Sequence, residues 1–216
     1  MNTVATDARG YRLTSIDMLR GMAIIIMAID HTRDFFHTGA TMDPMEGDSV
    51  SVVLALTRWI THFCAPVFVL LSGTSAGLMV ARKSAGDLCV FLLTRGLWLI
   101  FVEIALISTA ITFSPGGLEQ FGGRTLAFMQ VIWAIGASMV VLAFAQFLGR
   151  KVCLVAGAII VLGHNGLDGN WPATQGLVDT SPPLWAALHV PMSKTWGQMH
   201  FLFLYPLLPW AGVMLL

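Results

Sequence analysis

Residues 17–34 read DMLRGMAIIIMAIDHTRD, a long apolar run that carries ionisable groups near both ends. At about 100° and about 1.5 Å per residue, Arg20 and His31 lie roughly 20° apart around a helix and roughly 16 Å apart along it. Asp17 and Asp34 fall on the same side. Ionisable groups are costly in a bilayer and are functional by default. One face of this first helix is therefore predicted to connect a cation at one membrane surface with an imidazole at the other.

The composition predicts an integral membrane protein. Apolar residues make up 56% of the chain and charged residues only 11%, and the mean hydropathy is +0.76. Soluble domains carry about 25% charged residues. Long apolar segments between short polar connections indicate helices, since barrel strands would alternate in pieces of about ten residues. The net charge is zero and the basic residues are scattered, which argues against a nucleic-acid partner.

These segments predict an all-α fold, a polytopic transmembrane helical bundle that forms a single integral membrane domain over residues 1–216. A cytoplasmic N-terminal tail covers residues 1–14, and a long external loop covers residues 164–200. The last span stops among leucines, which predicts a chain truncated from a larger fold. The predicted spans, about six in all, are residues 17–36, 59–80, 88–112, 126–148, 152–163 and 201 to the end.

Basic residues set the predicted orientation. They occur before the first span and after the second and fourth, which is one side of the membrane if the spans alternate. The positive-inside rule then places the N-terminus in the cytoplasm. Arg20 lies near the cytoplasmic surface, and His31, Asp34 and His37 lie near the other. The basic residues are Arg9, Arg12, Arg82, Lys83, Arg150 and Lys151.

His31 is the leading candidate for a catalytic base. An unperturbed histidine titrates near neutral pH, with a pKa of about 6.5. Asp34 follows at the i,i+3 spacing that lets a carboxylate orient an imidazole. A base and an orienting acid without a covalent nucleophile suit direct acyl transfer, in which the base deprotonates an acceptor as it attacks a thioester. The alternative interpretation is a structural pair at a helix end.

Other polar residues are predicted to bind ligands. Arg20, with Asp17 beside it, suits a phosphate of the donor because its planar fork binds anions; the alternative is a snorkelling arginine paired with Asp17. Arg58 and His62 share a face at i,i+4, and His200 stands where the long loop re-enters the membrane, so these three are candidate substrate-binding residues.

Three further patterns complete the sequence-based expectations. Arg95 and Glu103 lie inside the third span and need partners if they are buried. Small residues at 72–77 favour close helix packing over an acyl-chain site. His62, His164 and His189 lack metal-ligand spacing, so no metal is expected.

Several motifs resemble the heparan-alpha-glucosaminide N-acetyltransferase catalytic-domain family, especially its bacterial members. They are residues 15–23 (SIDMLRGMA), 30–36 (DHTRDFF) and 57–74 (TRWITHFCAPVFVLLSGT), with a weaker match at 205–214. The spacing of Arg20 and His31 is also similar to that in the broader membrane acyltransferase-three family. The resemblance implies an essential His31, an important Arg20 and acetyl-CoA as the acyl donor. Through the bacterial members, it also implies a bacterial inner (plasma) membrane as the location.

The sequence departs from the resembled family in two ways. Eukaryotic members have asparagine at the position of His31 and a catalytic histidine further along, where His37 is the nearest residue of that kind. The choice between His31 and His37 therefore stays open. The family has ten or more helices, which is more than this chain holds.

The sequence as a whole favours a membrane acyltransferase. It is expected to move an acyl group, acetyl in the first instance, from cytoplasmic acyl-CoA to a sugar or envelope-glycan acceptor on the far face. The same His–Asp pair could relay protons in a proton-coupled transporter. A third interpretation is a non-catalytic fragment or assembly partner. The partners expected are the lipid bilayer, a small-molecule or glycan acceptor and, as an open question, a second copy in a homo-oligomer.

Overall fold

The structure, a computed structural model, describes residues 14–36, 51–114, 116–119, 122–170, 183–189 and 191–216. These residues are mostly helical (76%), as predicted. Their contacts divide into two compact units, one ending at Val67 and the other beginning at Phe68.

The helices and strands are numbered in chain order. The α-helices are α1 (Thr14–Phe36), α2 (Val52–Thr61), α3 (Cys64–Met79), α4 (Ala85–Phe101), α5 (Ser108–Thr112), α6 (Val131–Ala145), α7 (Arg150–Gly163), α8 (Pro183–Leu188) and α9 (Leu207–Leu215). A π-helix, Val102–Ile107, joins α4 to α5, and 3-10 helices extend α6 (Gln146–Leu148) and α7 (His164–Asn170). The strands are β1 (Thr125–Met129), β2 (Met192–Trp196) and β3 (Met199–Phe203).

Within the described part of the chain, four helical segments are long and apolar enough to cross a membrane. The helix α1 is long enough, but every 18-residue window of it holds at least three charged residues. The protein is thus an integral membrane protein, and the predicted count of about six spans is not confirmed. The four segments are Val52–Met79, Ala85–Thr112, Val131–Leu148 and Arg150–Asp168.

A small sheet corrects the all-α prediction in two places. The central strand β3 pairs in parallel with β1 and antiparallel with β2. The spans predicted to begin at residues 126 and 201 therefore begin as strands, and their helices start only at Val131 and Leu207. Short apolar runs cannot be assigned to strand or helix by periodicity alone. The predicted loop over residues 164–200 also holds a 3-10 helix, α8, β2 and the start of β3.

In the first unit, α1 packs against α2 and the first turn of α3. Asp30 of α1 meets Arg58 of α2, while Ala23, earlier in α1, meets Cys64, later in the chain. The two segments therefore run antiparallel. The Sγ of Cys64 donates to the carbonyl oxygen of Ala23 at 3.5 Å, and both residues are buried.

In the second unit, glycines let helix backbones approach closely. A Cβ added to Gly96 of α4 would lie 2.6 Å from the carbonyl oxygen of Gly136 of α6, and one added to Gly136 would lie 2.7 Å from that of Gly96. A Cβ added to Gly73 would collide with the carbonyl oxygen of Met214. The packing role predicted for residues 72–77 is confirmed at Gly73.

Glu103 lies in the π-helix, and its carboxylate caps α6. Its Oε2 accepts a hydrogen bond from the backbone N–H of Trp133 at 3.0 Å, and the residue is 1% exposed. The first N–H groups of a helix lack partners within it, and a negative group there is favourable. The Ser108 hydroxyl donates to the Glu103 carbonyl oxygen and accepts from the N–H of Phe128. The partner that a buried Glu103 was predicted to need is therefore the N-terminal turn of α6. Arg95 lies over the Phe91 ring, 5.6 Å from its centroid.

We expect Glu103→Ala to lower the free energy of unfolding by about 2 kcal/mol, because it removes a helix cap and leaves a buried N–H without its acceptor. Glu103→Gln keeps an acceptor oxygen and is expected to cost less than half of that. Thermal unfolding in detergent, followed by circular dichroism, measures both. Equal losses in the two variants would contradict a capping role.

Candidate functional site

The predicted stripe on α1 lies on one continuous helix. His31 is exposed near its C-terminal end, and Arg20 is half-buried near the other. A guanidinium nitrogen of Arg20 lies 3.7 Å from a carboxylate oxygen of Asp17, as the snorkelling alternative expected. Asp34 belongs to the same helix, but its side chain and the whole of His37 lie outside what the structure describes. The pairing of His31 with Asp34, and the choice between His31 and His37, stay predictions.

A four-residue polar cluster, made of Asp30, Arg33, Arg58 and Thr61, joins α1 to α2. The Asp30 carboxylate accepts a hydrogen bond from Thr61 Oγ1 at 2.7 Å, and one nitrogen of Arg58 lies 3.0 and 3.2 Å from its two oxygens. A nitrogen of Arg33 lies 2.8 Å from the same carboxylate. One anion therefore holds two cations and a hydroxyl between two consecutive helices.

Helical spacing explains this cluster. Arg33 follows Asp30 at i,i+3 on α1, and Thr61 follows Arg58 at i,i+3 on α2, so each pair projects from one side of its helix. Asp30 lies six residues before the end of α1, and Arg58 lies six residues after the start of α2. Because the helices are antiparallel, both residues lie at the same level along the helix pair. This level is about 9 Å from the end of α1 and from the start of α2.

Sequence reasoning missed Asp30 as the centre of this cluster. The available signal was the lone arginine of α2 and an aspartate of α1 that lie at matching distances from the connection between these two helices. Arg58, predicted to bind substrate, bonds to Asp30 instead in this structure, and its buried Nε has no hydrogen-bond partner. The predicted substrate-binding role of Arg58 is not tested by this contact.

The other predicted binding residues are not members of the cluster. His62 is exposed at the C-terminal end of α2, directly after Thr61. His200 belongs to β3 in the second unit, where its Nδ1 lies 2.9 Å from the Thr195 hydroxyl.

The imidazole–carboxylate contact between His189 and Asp168 was not predicted. His189 is buried, and its Nε2 lies 2.7 Å from a carboxylate oxygen of Asp168. The Trp185 ring lies against the imidazole, with ring centroids 4.8 Å apart. Asp168 lies in the 3-10 extension of α7, and sequence spacing does not show that α8 folds back against it. Among the described residues, no group of three His, Cys, Asp or Glu side chains could hold a metal ion.

An open groove of about 320 Å³ runs between α1 and α2 beside the polar cluster. Its walls are mostly apolar, with Arg33 as the charged residue among those that line it. Around α1 its lining residues centre about 150° from His31, at about 100° per residue. The groove and the Arg20–His31 stripe therefore lie on different sides of α1. The lining residues are Ile29, Thr32, Arg33, Phe36, Leu54, Thr57 and Thr61.

Comparison with known proteins gives one family. The family model described as "Heparan-alpha-glucosaminide N-acetyltransferase, catalytic" matches residues 12–216. No curated protein and no solved structure matches the chain. The matched residues include α1, with both ends of the polar stripe, and the whole of the polar cluster.

Proposed function

This chain belongs to the heparan-alpha-glucosaminide N-acetyltransferase catalytic-domain family, and from that premise we propose that it transfers an acetyl group from acetyl-CoA to a sugar or envelope-glycan acceptor. The family in general uses acetyl-CoA as the donor. The observation that carries the proposal is the family match over residues 12–216, which includes the imidazole and the charged stripe of α1.

His31 acts as the general base in this proposal. It takes the proton from an acceptor amine or hydroxyl as that nitrogen or oxygen attacks the thioester carbonyl. The carbon–sulfur bond then breaks, and the departing thiolate of coenzyme A takes up a proton, so that the imidazole returns to its neutral form. The exposure of His31 on α1 supports this role, because a base must reach its substrate. Asp34 orients the imidazole, and His37 is the alternative base.

The polar cluster positions the base in this proposal. Asp30 directly precedes His31, and its bonds to Arg58 and Thr61 tie this turn of α1 to α2. A base held within a few tenths of an ångström of its working position gains most of the benefit of proximity. Asp30 is thus a positioning residue and makes no contact with the acceptor.

The donor and the acceptor approach from opposite membrane surfaces in this proposal. Arg20, with Asp17, binds a phosphate of acetyl-CoA on the cytoplasmic side, where the N-terminus lies. His62 and His200, with Arg58 as a further candidate, contact the acceptor on the other side. The distribution of basic residues supports this orientation. The resemblance to bacterial members of the family supports a bacterial inner membrane.

The test is acetyl transfer by purified protein in nanodiscs, with acetyl-CoA and a panel of amino sugars and glycans. We expect His31→Ala to lower the rate about 100-fold, within the range that a positioned base contributes. The double variant, with His31→Ala and His37→Ala, tests whether His37 serves as the base in place of His31.

The matched control is His164→Ala, because the Nδ1 of His164 lies 3.1 Å from carbonyl oxygens of its own helix, those of Ile160 and Val161. We expect this control to keep the wild-type rate. Unchanged transfer in the folded double variant would show that neither histidine is the base. A folded wild type that transfers no acetyl group to any acceptor would contradict the proposed function itself and favour the proton-coupled carrier or the assembly partner.

A further inference from the structure

Two cations lie against one aromatic ring near the start of α4. The guanidinium carbon of Arg95 lies 5.6 Å from the centre of the Phe91 ring, and the Nζ of Lys83 lies 5.5 Å from the same centre. Both cationic residues are exposed, whereas Phe91 is half-buried against the core. An aromatic face attracts a cation without neutralising its charge. This basic patch, made of Lys83, Phe91 and Arg95, therefore holds two positive charges near each other on the surface.

One acidic residue accompanies the basic patch. Asp87 is bonded to the Ser84 hydroxyl, which lies 2.6 Å from its carboxylate. Within the described part of the chain, no carboxylate forms an ion pair with Lys83 or Arg95. All residues from 80 to 101 are described, and their three basic side chains and one acidic side chain leave a net charge of +2. The patch thus keeps an excess of positive charge.

The basic patch lies at the basic end of the second unit. The Nε2 of Gln146, just after α6, donates to the carbonyl oxygen of Ala85, at the start of α4, at 3.3 Å. The helix α7 begins four residues after Gln146, with the exposed residues Arg150 and Lys151. These cations are therefore at the same end of the unit as the patch. Clusters of basic residues beside a membrane helix attract anionic lipids.

The helix α4 is part of a candidate membrane span, so helix geometry gives the depth of the patch. The span Ala85–Thr112 has 28 residues and is about 42 Å long, compared with about 30 Å for the hydrocarbon core. Its basic end is the one that extends into the headgroup region. Arg95 lies about 15 Å into the helix, but its guanidinium is turned back over Phe91, one turn closer to that end. Long cationic side chains reach the headgroups in this way.

We propose that the basic patch binds an anionic phospholipid, with the phosphate on Lys83 and Arg95 and one acyl chain along Trp98. Trp98 lies one turn deeper than Arg95, about 60° away around α4, and is 55% exposed. A cation on the exposed face of a membrane span requires an anionic or polar group beside it. Guanidinium groups recognise phosphate well because their planar donors match its oxygens. The net positive charge favours an anionic headgroup over a zwitterionic one.

The experiment is native mass spectrometry of the full chain in detergent, without acetyl-CoA, titrated with phosphatidylglycerol or with phosphatidylcholine of identical acyl chains. We expect phosphatidylglycerol to bind about tenfold more tightly, because each basic residue near an anionic lipid contributes about fivefold and Asp87 offsets part of the gain. Lys83→Gln with Arg95→Gln is expected to remove most of this preference. Arg95→Lys keeps the charge and is expected to keep the preference. The result is independent of whether the chain proves to be a transferase.

The matched control is Arg150→Gln with Lys151→Gln, which removes two positive charges at the same end of the unit but leaves the patch intact. It is expected to lower the preference by no more than about twofold, because charges further from the headgroup are screened. The proposal is overturned if the two double variants, both folded by circular dichroism, lose the preference equally, or if the variant of the patch keeps it. Release of phosphatidylglycerol by millimolar inorganic phosphate would show a site for phosphate alone, and release by millimolar coenzyme A would show a donor site. Either result overturns the lipid assignment.

Discussion

Asp30→Ala is expected to lower the free energy of unfolding by about 3 kcal/mol, because it leaves two guanidinium groups without the anion between them. The Asp30 side chain is 17% exposed, and those of Arg33 and Arg58 are 12% and 28% exposed, so water compensates for only part of the loss. Thr61 also loses its carboxylate partner. The turn of α1 that carries His31 would no longer be held against α2, so acetyl transfer is expected to fall as well.

Thermal unfolding in detergent measures the stability change, and Asp17→Ala is the matched control. Asp17 sits on the same helix and pairs with an arginine at i,i+3, but at 3.7 Å and with both side chains more than a third exposed. Exposed pairs of this kind contribute about 0–1 kcal/mol. Similar losses of stability in Asp30→Ala and Asp17→Ala would mean that the contacts of Asp30 with α2 add no stability beyond an ion pair within α1.

Gly96→Ala is expected to lower the free energy of unfolding by about 3 kcal/mol, at the upper end of overpacking effects. The added Cβ would lie 2.6 Å from the carbonyl oxygen of Gly136. A backbone atom cannot move away by changing rotamer, so α4 and α6 must separate. In a bilayer, such close packing is a main source of helix association, because burying apolar side chains away from lipid gains little.

The control for this prediction is Gly77→Ala, in α3. A Cβ at Gly77 would have open space around it, and alanine is the better helix former by about 1 kcal/mol. The same unfolding measurement should find this variant at least as stable as the wild type. Equal stability of Gly96→Ala and Gly77→Ala would contradict the close approach of the two helices.

Composition and apolar run length were enough to predict a mostly helical membrane protein. The segments predicted at residues 88–112 and 152–163 correspond to helices that start only a few residues earlier, at Ala85 and Arg150. These signals are local, since a bilayer requires each helix to satisfy its own backbone. The strands β1 and β3 were missed because their pairing depends on residues that are far apart in sequence.

The candidate site shows the same limit. Helical spacing identified the pairing of Arg20 with Asp17, because both residues lie on one helix. It could not identify the pairing of Asp30 with Arg58, because this contact joins two helices and depends on where α2 begins. α2 begins at Val52, seven residues before the predicted start of the second span, and it ends at a break around His62. The roles of His31, Asp34 and His37 depend on a bound substrate and stay predictions.

The π-helix at Val102–Ile107 allows the number of residues in its span to change by one without a change of helix face. A π turn holds one residue more than an α turn. Deleting one residue there would therefore restore the regular pitch, and α4 would present the same face to α6 while Ser108 kept its place beside β1. A sequence one residue shorter in this segment would keep the packing of α4 on α6 and lose only the widened turn beside Glu103.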